Sequence, residues 1–409
     1  MRYDYERLAK IADNYGDSFY IIDEEQFKKN YAELDKELKS FYPKFQISYS
    51  YKTNYVPSLC KILNELGGYA EVVSDMEYKI ALKSGVTTEH IIFNGPYKDF
   101  EAEVFALEHN SIVNVDNIPE LQRIVSYVQK NEDREYGIAL RCNYDVADGN
   151  VSRFGFDTEG EDFQTALKLV AATPNLTLMG LHAHFASRAL NVWQAKVGGM
   201  LGLIKRLGMK FTYIDVGGGL YGKMADSLKR QFNDKIPTYS EYANVISKPF
   251  YEFYKNTPDT DMPQIFVEPG SALVGDVMKF VTRVKSIKNV KGKNIATVLG
   301  SIYNINPTLN KKNPPIEVFK DDKKQQKYYE DLDFGGFTCI ESDYLYRHYD
   351  GELSVDDFVV FGNAGSYSVV LKPPFILPNF PIISVGGNEE IKCVKRQETF
   401  DDVFRTYEF

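Results

Sequence analysis

Residues 47–74 read ISYSYKTNYVPSLCKILNELGGYAEVVS, and the order of elements inside this stretch decides the fold. ISYSYK (47–52) alternates small polar residues with aromatic ones, which suits a pleated strand. PSLCKILNELG follows, with Pro57 near its start and Gly67 at its end, the asymmetry expected of a helix. YAEVVS (69–74) is strand-like again. SDMEYKIALKSG then reads as a helix opened by Ser74 or Asp75 and closed by Gly85. The alternation continues through IIFNG (91–95), IVNVD (112–116), GIALRCN (137–143), MGLHAH (179–184), YIDVGGG (213–219) and IFVEPG (265–270). Eight strands alternating with helices predict a parallel (β/α)8 barrel of the TIM type, expected over residues 25–275.

After Val277 the pattern changes. KFVTRVKSIKNV, NIATVLGSIY, DFVVFGN and PIISVGG are strand-like and separated by turns. They predict a C-terminal, mostly antiparallel β domain, which the strand-like SFYIID (18–23) joins. Its expected extent is residues 1–24 and 276–409. The charged run DDKKQQKYYEDLD (321–333) is expected to be a solvated loop.

The chain has 409 residues, 44% hydrophobic and 26% charged, as ordinary globular proteins do. A net charge of −9 argues against nucleic acid or an anionic membrane as partner. The 29 Tyr and 27 Phe beside one Trp read as packing. Cys60, Cys142, Cys339 and Cys393 are far apart and suggest neither a zinc motif nor a disulfide framework. The start MRYDYERLAK has no apolar core of a signal peptide, and no run of apolar residues is long enough for a membrane helix. A cytoplasmic location is expected.

In such a barrel the site lies where the strands end. Those ends carry Lys52, Glu71 and Ser74, Asn94-Gly95, His182-Ala-His184 with Ser187, Gly217–Gly219, and Glu268-Pro269-Gly270. Three glycines after a strand are usually a plain turn. After the seventh strand, where barrels hold phosphate, an anion cradle is the better reading. Glu268 fits either a salt bridge or a carboxylate beneath a pyridine nitrogen. His184 fits either a core histidine or a ring stacked on a planar cofactor, and a metal on His182 and His184 ranks below both. Lys52 then completes the set that pyridoxal phosphate needs: an amine for its aldehyde.

These residues resemble the fold-type III pyridoxal phosphate enzymes, with an alanine-racemase-like barrel, and especially the diaminopimelate/ornithine decarboxylase family. The family pattern stands here as Lys52 in YKTN, His184 in HFAS, Gly217–Gly219, Glu268 in EPGS, Cys339 and Asp343 in CIESD, and Tyr367 in GSY. The resemblance implies that Lys52 binds pyridoxal phosphate covalently and that His184 stacks on its ring. Ser187, the three glycines and Gly270 hold its phosphate, Glu268 pairs with the ring nitrogen, and Tyr367 contacts it. Cys339 returns a proton after CO2 leaves. Asp343, Glu341 and Arg153 belong on the substrate side. It also implies a homodimer with shared active sites, in which Cys339 and Asp343 serve the partner subunit.

Three positions depart from the family. Ser271 stands where EPGR has arginine, Asn306 where an arginine precedes proline, and Ile340 where an acidic residue follows the cysteine. The expected function is α-decarboxylation of an amino acid or amino-acid derivative other than meso-diaminopimelate. Glu341 is placed to replace the acidic reader, shifted by one. A racemase or epimerase is the alternative on this fold. Glu268 argues against it, because an anion at the pyridine nitrogen strengthens the electron sink.

Overall fold

The computed structural model describes residues 3–233, 235–306, 308, 311–387 and 390–409. The chain divides into two units. One comprises residues 28–221 and 237–272, the other residues 1–27, 222–236 and 273–409.

The first unit is the barrel. In chain order the strands are β1 (Ser18–Asp23), which belongs to the other unit, then β2 (Phe45–Ser50), β3 (Tyr69–Val72), β4 (Ile91–Phe93), β5 (Ile112–Val115) and β6 (Tyr136–Asn143). After them come the short β7 (Phe156–Asp157), β8 (Leu176–His182), β9 (Tyr213–Asp215) and β10 (Gln264–Val267). All barrel pairings are parallel, in the order β5-β4-β3-β2-β10-β9-β8-β6. A β5–β6 pairing closes the ring of eight, and β7 lies beside β6. Each expected strand is present. The helices between them start and stop where their chemistry says. Pro57 opens Pro57–Glu65, and the Ser74 side chain accepts from Glu77 N–H to cap Asp75–Lys83. Gly67 and Gly85, just past the two ends, have φ of +75° and +90°.

Side chains alternate across a strand, so inward residues recur every second position. Ile92, Ala139, Tyr213 and Phe266 form one cluster, with Tyr69, Ile112 and Met179 packed against it. The Tyr213 ring fits because its neighbour on β8 is Gly180, where a Cβ would stand 2.5 Å from it. Two residues further along the strands come Glu71, Asn94, Asn114, Arg141, His182, Asp215 and Glu268, each buried. Strand pairing sets Arg141 beside His182 and His182 beside Asp215. The barrel is thus an apolar plug below a polar layer.

The second unit is a sheet built from β1 and eight later strands. These are β11 (Met278–Val290), β12 (Lys293–Val298), β13 (Ile316–Phe319), β14 (Lys327–Gly335), β15 (Tyr344–Leu353), β16 (Phe358–Phe361), β17 (Ile382–Val385) and β18 (Ile391–Lys395). Only the β1–β17 and β12–β14 pairings are parallel. β1 lies between β11 and β17, and its Phe19 and Ile21 pack with Val281, Val360 and Ile383. One expectation is corrected: the run 321–333 is not a loop throughout. From Lys327 it is strand β14, paired antiparallel with β15. Lys327, Glu330 and Asp331 lie on its exposed part, while its C-terminal end, Leu332 to Gly335, is buried, Asp333 included.

No described helix is long and apolar enough to cross a membrane. All four cysteines are free, Cys60 and Cys142 buried, Cys339 and Cys393 exposed.

Candidate active site

Strand β2 ends at Ser50, two residues earlier than its sequence pattern suggests. Lys52 lies in the 3-10 turn Tyr51–Thr53 that follows. That turn points its amine across the barrel mouth. Lys52 Nζ donates to Glu71 Oε2 at 2.5 Å. Glu71 is fully buried and held in turn. Ser50 Oγ donates to Oε2 at 2.6 Å, and Asn94 Nδ2 donates to Oε1 at 3.0 Å. The second N–H of Asn94 goes to Glu268 Oε1, while its carbonyl accepts from Asn114 Nδ2 at 2.7 Å. One amide therefore ties the carboxylate beside the lysine to the carboxylate of EPG.

Glu268 Oε1 stands 3.4 Å from His182 Nε2, and Oε2 stands 3.5 Å from His184 Nδ1. Burial opposes its charge, but the neighbouring His182 ring and the Lys52 ammonium outweigh burial and hold its carboxyl well below the usual range. Asp215 goes the other way. Burial and the Glu268 charge push its carboxyl well above the usual range, so the pair keeps one anion, on Glu268. Burial lowers His184 to about 3, so its ring is neutral at pH 7. Gly218 N–H donates to His184 Nδ1 at 2.9 Å, which assigns the ring proton to Nε2. A neutral, flat ring beside a buried carboxylate is a suitable stacking partner for a pyridinium.

The glycine loop packs too closely for any side chain. A Cβ on Gly217 would stand 2.6 Å from Ala183 O, on Gly218 2.4 Å from Glu268 O, and on Gly219 2.9 Å from Ser187 O. At Gly270 it would stand 2.0 Å from Thr53 Oγ1. The backbone N–H groups of Gly219 and Gly270 make no hydrogen bond among the described residues. An uncommitted amide in a side-chain-free cradle is suited to an anion.

Amine, flat neutral ring, buried carboxylate and amide cradle together match the aldehyde, ring, ring nitrogen and phosphate of pyridoxal phosphate. A metal fits less well. His182, Asp215 and Glu268 offer ligand atoms within 4.8 Å of one another. However, Asp215 Oδ1 already accepts from Gly217 N–H at 2.8 Å, and Glu268 Oε1 from Asn94.

Ser187 is half-buried beside the glycine loop. Arg153 is exposed, its guanidinium 4.0 Å from the Phe154 ring centre. Cys339, Glu341, Asp343 and Tyr367 belong to the second unit. Cys339 and Glu341 are exposed there. Asp343 is buried and engaged: it accepts from Ser301 Oγ at 2.9 Å, from Ile302 N–H at 2.7 Å, and from Thr338 Oγ1. It thereby clamps the loop that carries Cys339. Tyr367 holds a φ of +63°, an uncommon conformation for a residue with a side chain.

Sequence reading passed over Asn114, Arg141, Asp215, Trp193 and Lys196, and noted Asn94 without giving it a role. The first three, with Asn94, were within reach. Each lies two residues past an inward apolar residue of its strand. Arg141 pairs with Asp116 at 3.4 Å. Trp193 and Lys196 sit on the long helix Leu190–Leu207, and nothing in their spacing marks them as other than core.

Comparison with known proteins points to the same cofactor. Residues 24–275 match the family described as pyridoxal-dependent decarboxylase, pyridoxal binding domain. The diaminopimelate decarboxylase of Methanothermobacter thermautotrophicus is 25% identical, over 97% of this chain and 93% of its own. That of Vibrio cholerae is 27% identical, over 96% and 93%. Among solved structures, diaminopimelate decarboxylase from M. jannaschii superposes with a TM-score of 0.86 at 22% identity, covering 98% of this chain and 94% of that one. The arginine decarboxylase of Paramecium bursaria Chlorella virus reaches 0.74 at 20% identity, over 93% and 100%.

Proposed function

This chain belongs to the pyridoxal-dependent decarboxylases, and we propose that its substrate is an amino acid or amino-acid derivative other than meso-diaminopimelate. It is a pyridoxal phosphate-dependent carboxy-lyase. The observation that carries the substrate reading is Ser271, the first residue of the short helix Ser271–Val274 directly after EPG. Arginine is the preferred partner of a carboxylate because its planar fork donates two parallel hydrogen bonds. Ser271, like Asn306, lacks that fork. A charged hydrogen bond contributes about 1.5–3 kcal/mol, so its loss weakens binding roughly tenfold or more. The curated relatives carry the name diaminopimelate decarboxylase. The side chains suited to that substrate's distal carboxylate are the ones that differ here.

When bound, pyridoxal phosphate supplies the sink for the electron pair left behind as CO2 departs. The chain's own residues prepare that step. Lys52 presents the amine, aimed by Glu71. Glu268 offers a buried anion to a ring nitrogen, and His184 gives the ring a neutral face. Gly217–Gly219, Gly270 and Ser187 hold the phosphate, and Tyr367 contacts the cofactor. Cys339 donates its thiol proton to the α-carbon, on a loop fixed by Asp343. Glu341 and Arg153 face the rest of the substrate. The barrel domain spans residues 25–275, and the β domain spans 1–24 and 276–409. The enzyme works as a homodimer with shared sites, inside the cell, where Cys339 stays a thiol.

The test is CO2 release from L- and D-amino acids, including lysine, ornithine, arginine and meso-diaminopimelate. Preference for a substrate without the distal carboxylate is expected. Turnover of meso-diaminopimelate at or above every other substrate would sink the reading.

A further inference from the structure

We infer that Trp193 and Lys196 set the anion-binding face of the glycine loop from behind, as positioning residues for the cofactor phosphate. This rests on the reading that the loop Gly217–Gly219 holds that phosphate.

Both residues are buried on the helix Leu190–Leu207, one turn apart. Trp193 Nε1 donates to Gly219 O at 2.8 Å, and Lys196 Nζ donates to Gly218 O at 3.0 Å. Lys196 Nζ sits 3.6 Å from the centre of the Trp193 ring. The indole is braced edge-on by Tyr242 at 6.3 Å, whose hydroxyl donates to Arg188 O and accepts from Tyr221 N–H.

In a trans peptide the carbonyl and the next N–H point in opposite directions within one plane. Drawing Gly218 O toward Lys196 therefore turns Gly219 N–H away from the helix. Drawing Gly219 O toward Trp193 does the same to Leu220 N–H. Neither N–H has an acceptor among the described residues. Two adjacent amides without acceptors, in a loop this closely packed, are suited to an anion. Without the two donors the glycine peptides are free to rotate, and the amides lose their common direction.

The full chain, freed of cofactor, is titrated with pyridoxal 5′-phosphate and with pyridoxal, which lacks the phosphate. Trp193→Phe keeps the ring and removes its N–H, while Lys196→Met keeps the stem and removes the amine. Each is expected to weaken pyridoxal phosphate roughly three- to tenfold, the size of one hydrogen bond, and to leave pyridoxal unchanged. Lys196→Arg, which restores a donor, should recover most of the loss. Equal weakening of both ligands overturns the inference, as does no weakening of either. Should Lys196→Met fail to fold, Trp193→Phe decides alone. Gly218→Ala reads the cradle itself. If that variant folds and keeps the wild-type preference for the phosphate, the cradle reading falls. If it loses the preference while the two helix variants keep it, only the inference falls.

Discussion

The two units treat their polar residues in opposite ways. In the barrel, seven polar side chains are buried in one layer, where Lys52, Glu71, Asn94 and Glu268 form a continuous hydrogen-bonded set. In the β unit, Cys339 and Glu341 are exposed, on a loop tied down by the buried carboxylate of Asp343 and by Phe337 N–H donating to Gly300 O. A layer fixed by strand register is pre-organised, and suits a cofactor that every turnover reuses. A loop outside that layer can vary while the layer stays intact. The departures Asn306 and Ile340 fall in the second unit, and Ser271 lies within two residues of where it resumes.

That contrast is open to direct attack. Lys52→Ala should have the largest effect, cutting CO2 release by roughly 10³ or more and abolishing the visible cofactor absorbance. If only the β unit mattered for turnover, this variant would keep its rate. Glu268→Gln keeps the shape and removes the anion of the Glu268–Asp215 pair. Turnover should fall about 10²–10³-fold, measured at saturating cofactor. Cys339→Ser should cost about 10²-fold in kcat with cofactor affinity unchanged, the signature of a proton donor outside the cofactor layer. A parallel fall in cofactor affinity would erase the division of labour. Mixing Lys52→Ala with Cys339→Ala protein should restore about a quarter of wild-type activity if each site draws on two subunits, since half the dimers are hybrids with one intact site. No recovery after subunit exchange would place each site within one chain.

A pH-dependent effect on stability concerns His184. Its folded pKa, about 3, lies below the ordinary value of 6.5. Such a group disfavours folding only where the unfolded chain takes up a proton and the folded one does not. The penalty is absent above pH 6.5 and grows as pH falls toward 3. His184→Gln removes it. Relative to the wild type, the variant should gain about 1.4 kcal/mol per pH unit between pH 6 and 4, read from paired urea melts.

The eight barrel strands were legible because alternation with helices repeats, and helix ends are marked by Pro57, Ser74, Gly67 and Gly85. Lys52, His184, Glu268 and the glycines were legible because strand ends carry the chemistry of a barrel. The polar layer as a connected object was not. Asn114, Arg141 and Asp215 look ordinary within their strands, and only ring closure brings them side by side. Strand β14 was hidden because charge dominates the exposed part of its sequence, while its partner β15 lies beyond a turn that contains CIESD. Trp193 and Lys196 were hidden for a different reason. Their partners are backbone carbonyls, which leave no trace in side-chain pattern.

The position of β1 has a consequence for synthesis. Phe19, Tyr20, Ile21 and Ile22 emerge early from the ribosome, but they pair with β11 at residues 278–282 and with β17 at 382–385. Every barrel strand has been made by residue 267, so the ring can close while β1 still lacks both neighbours. Joining segments so distant in sequence is slow, because a long loop must close before any contact rewards it. During that interval an apolar strand with two open edges is exposed to its equivalents on other nascent chains. Chaperone dependence and low-temperature expression yield should track that strand more closely than any residue of the barrel mouth.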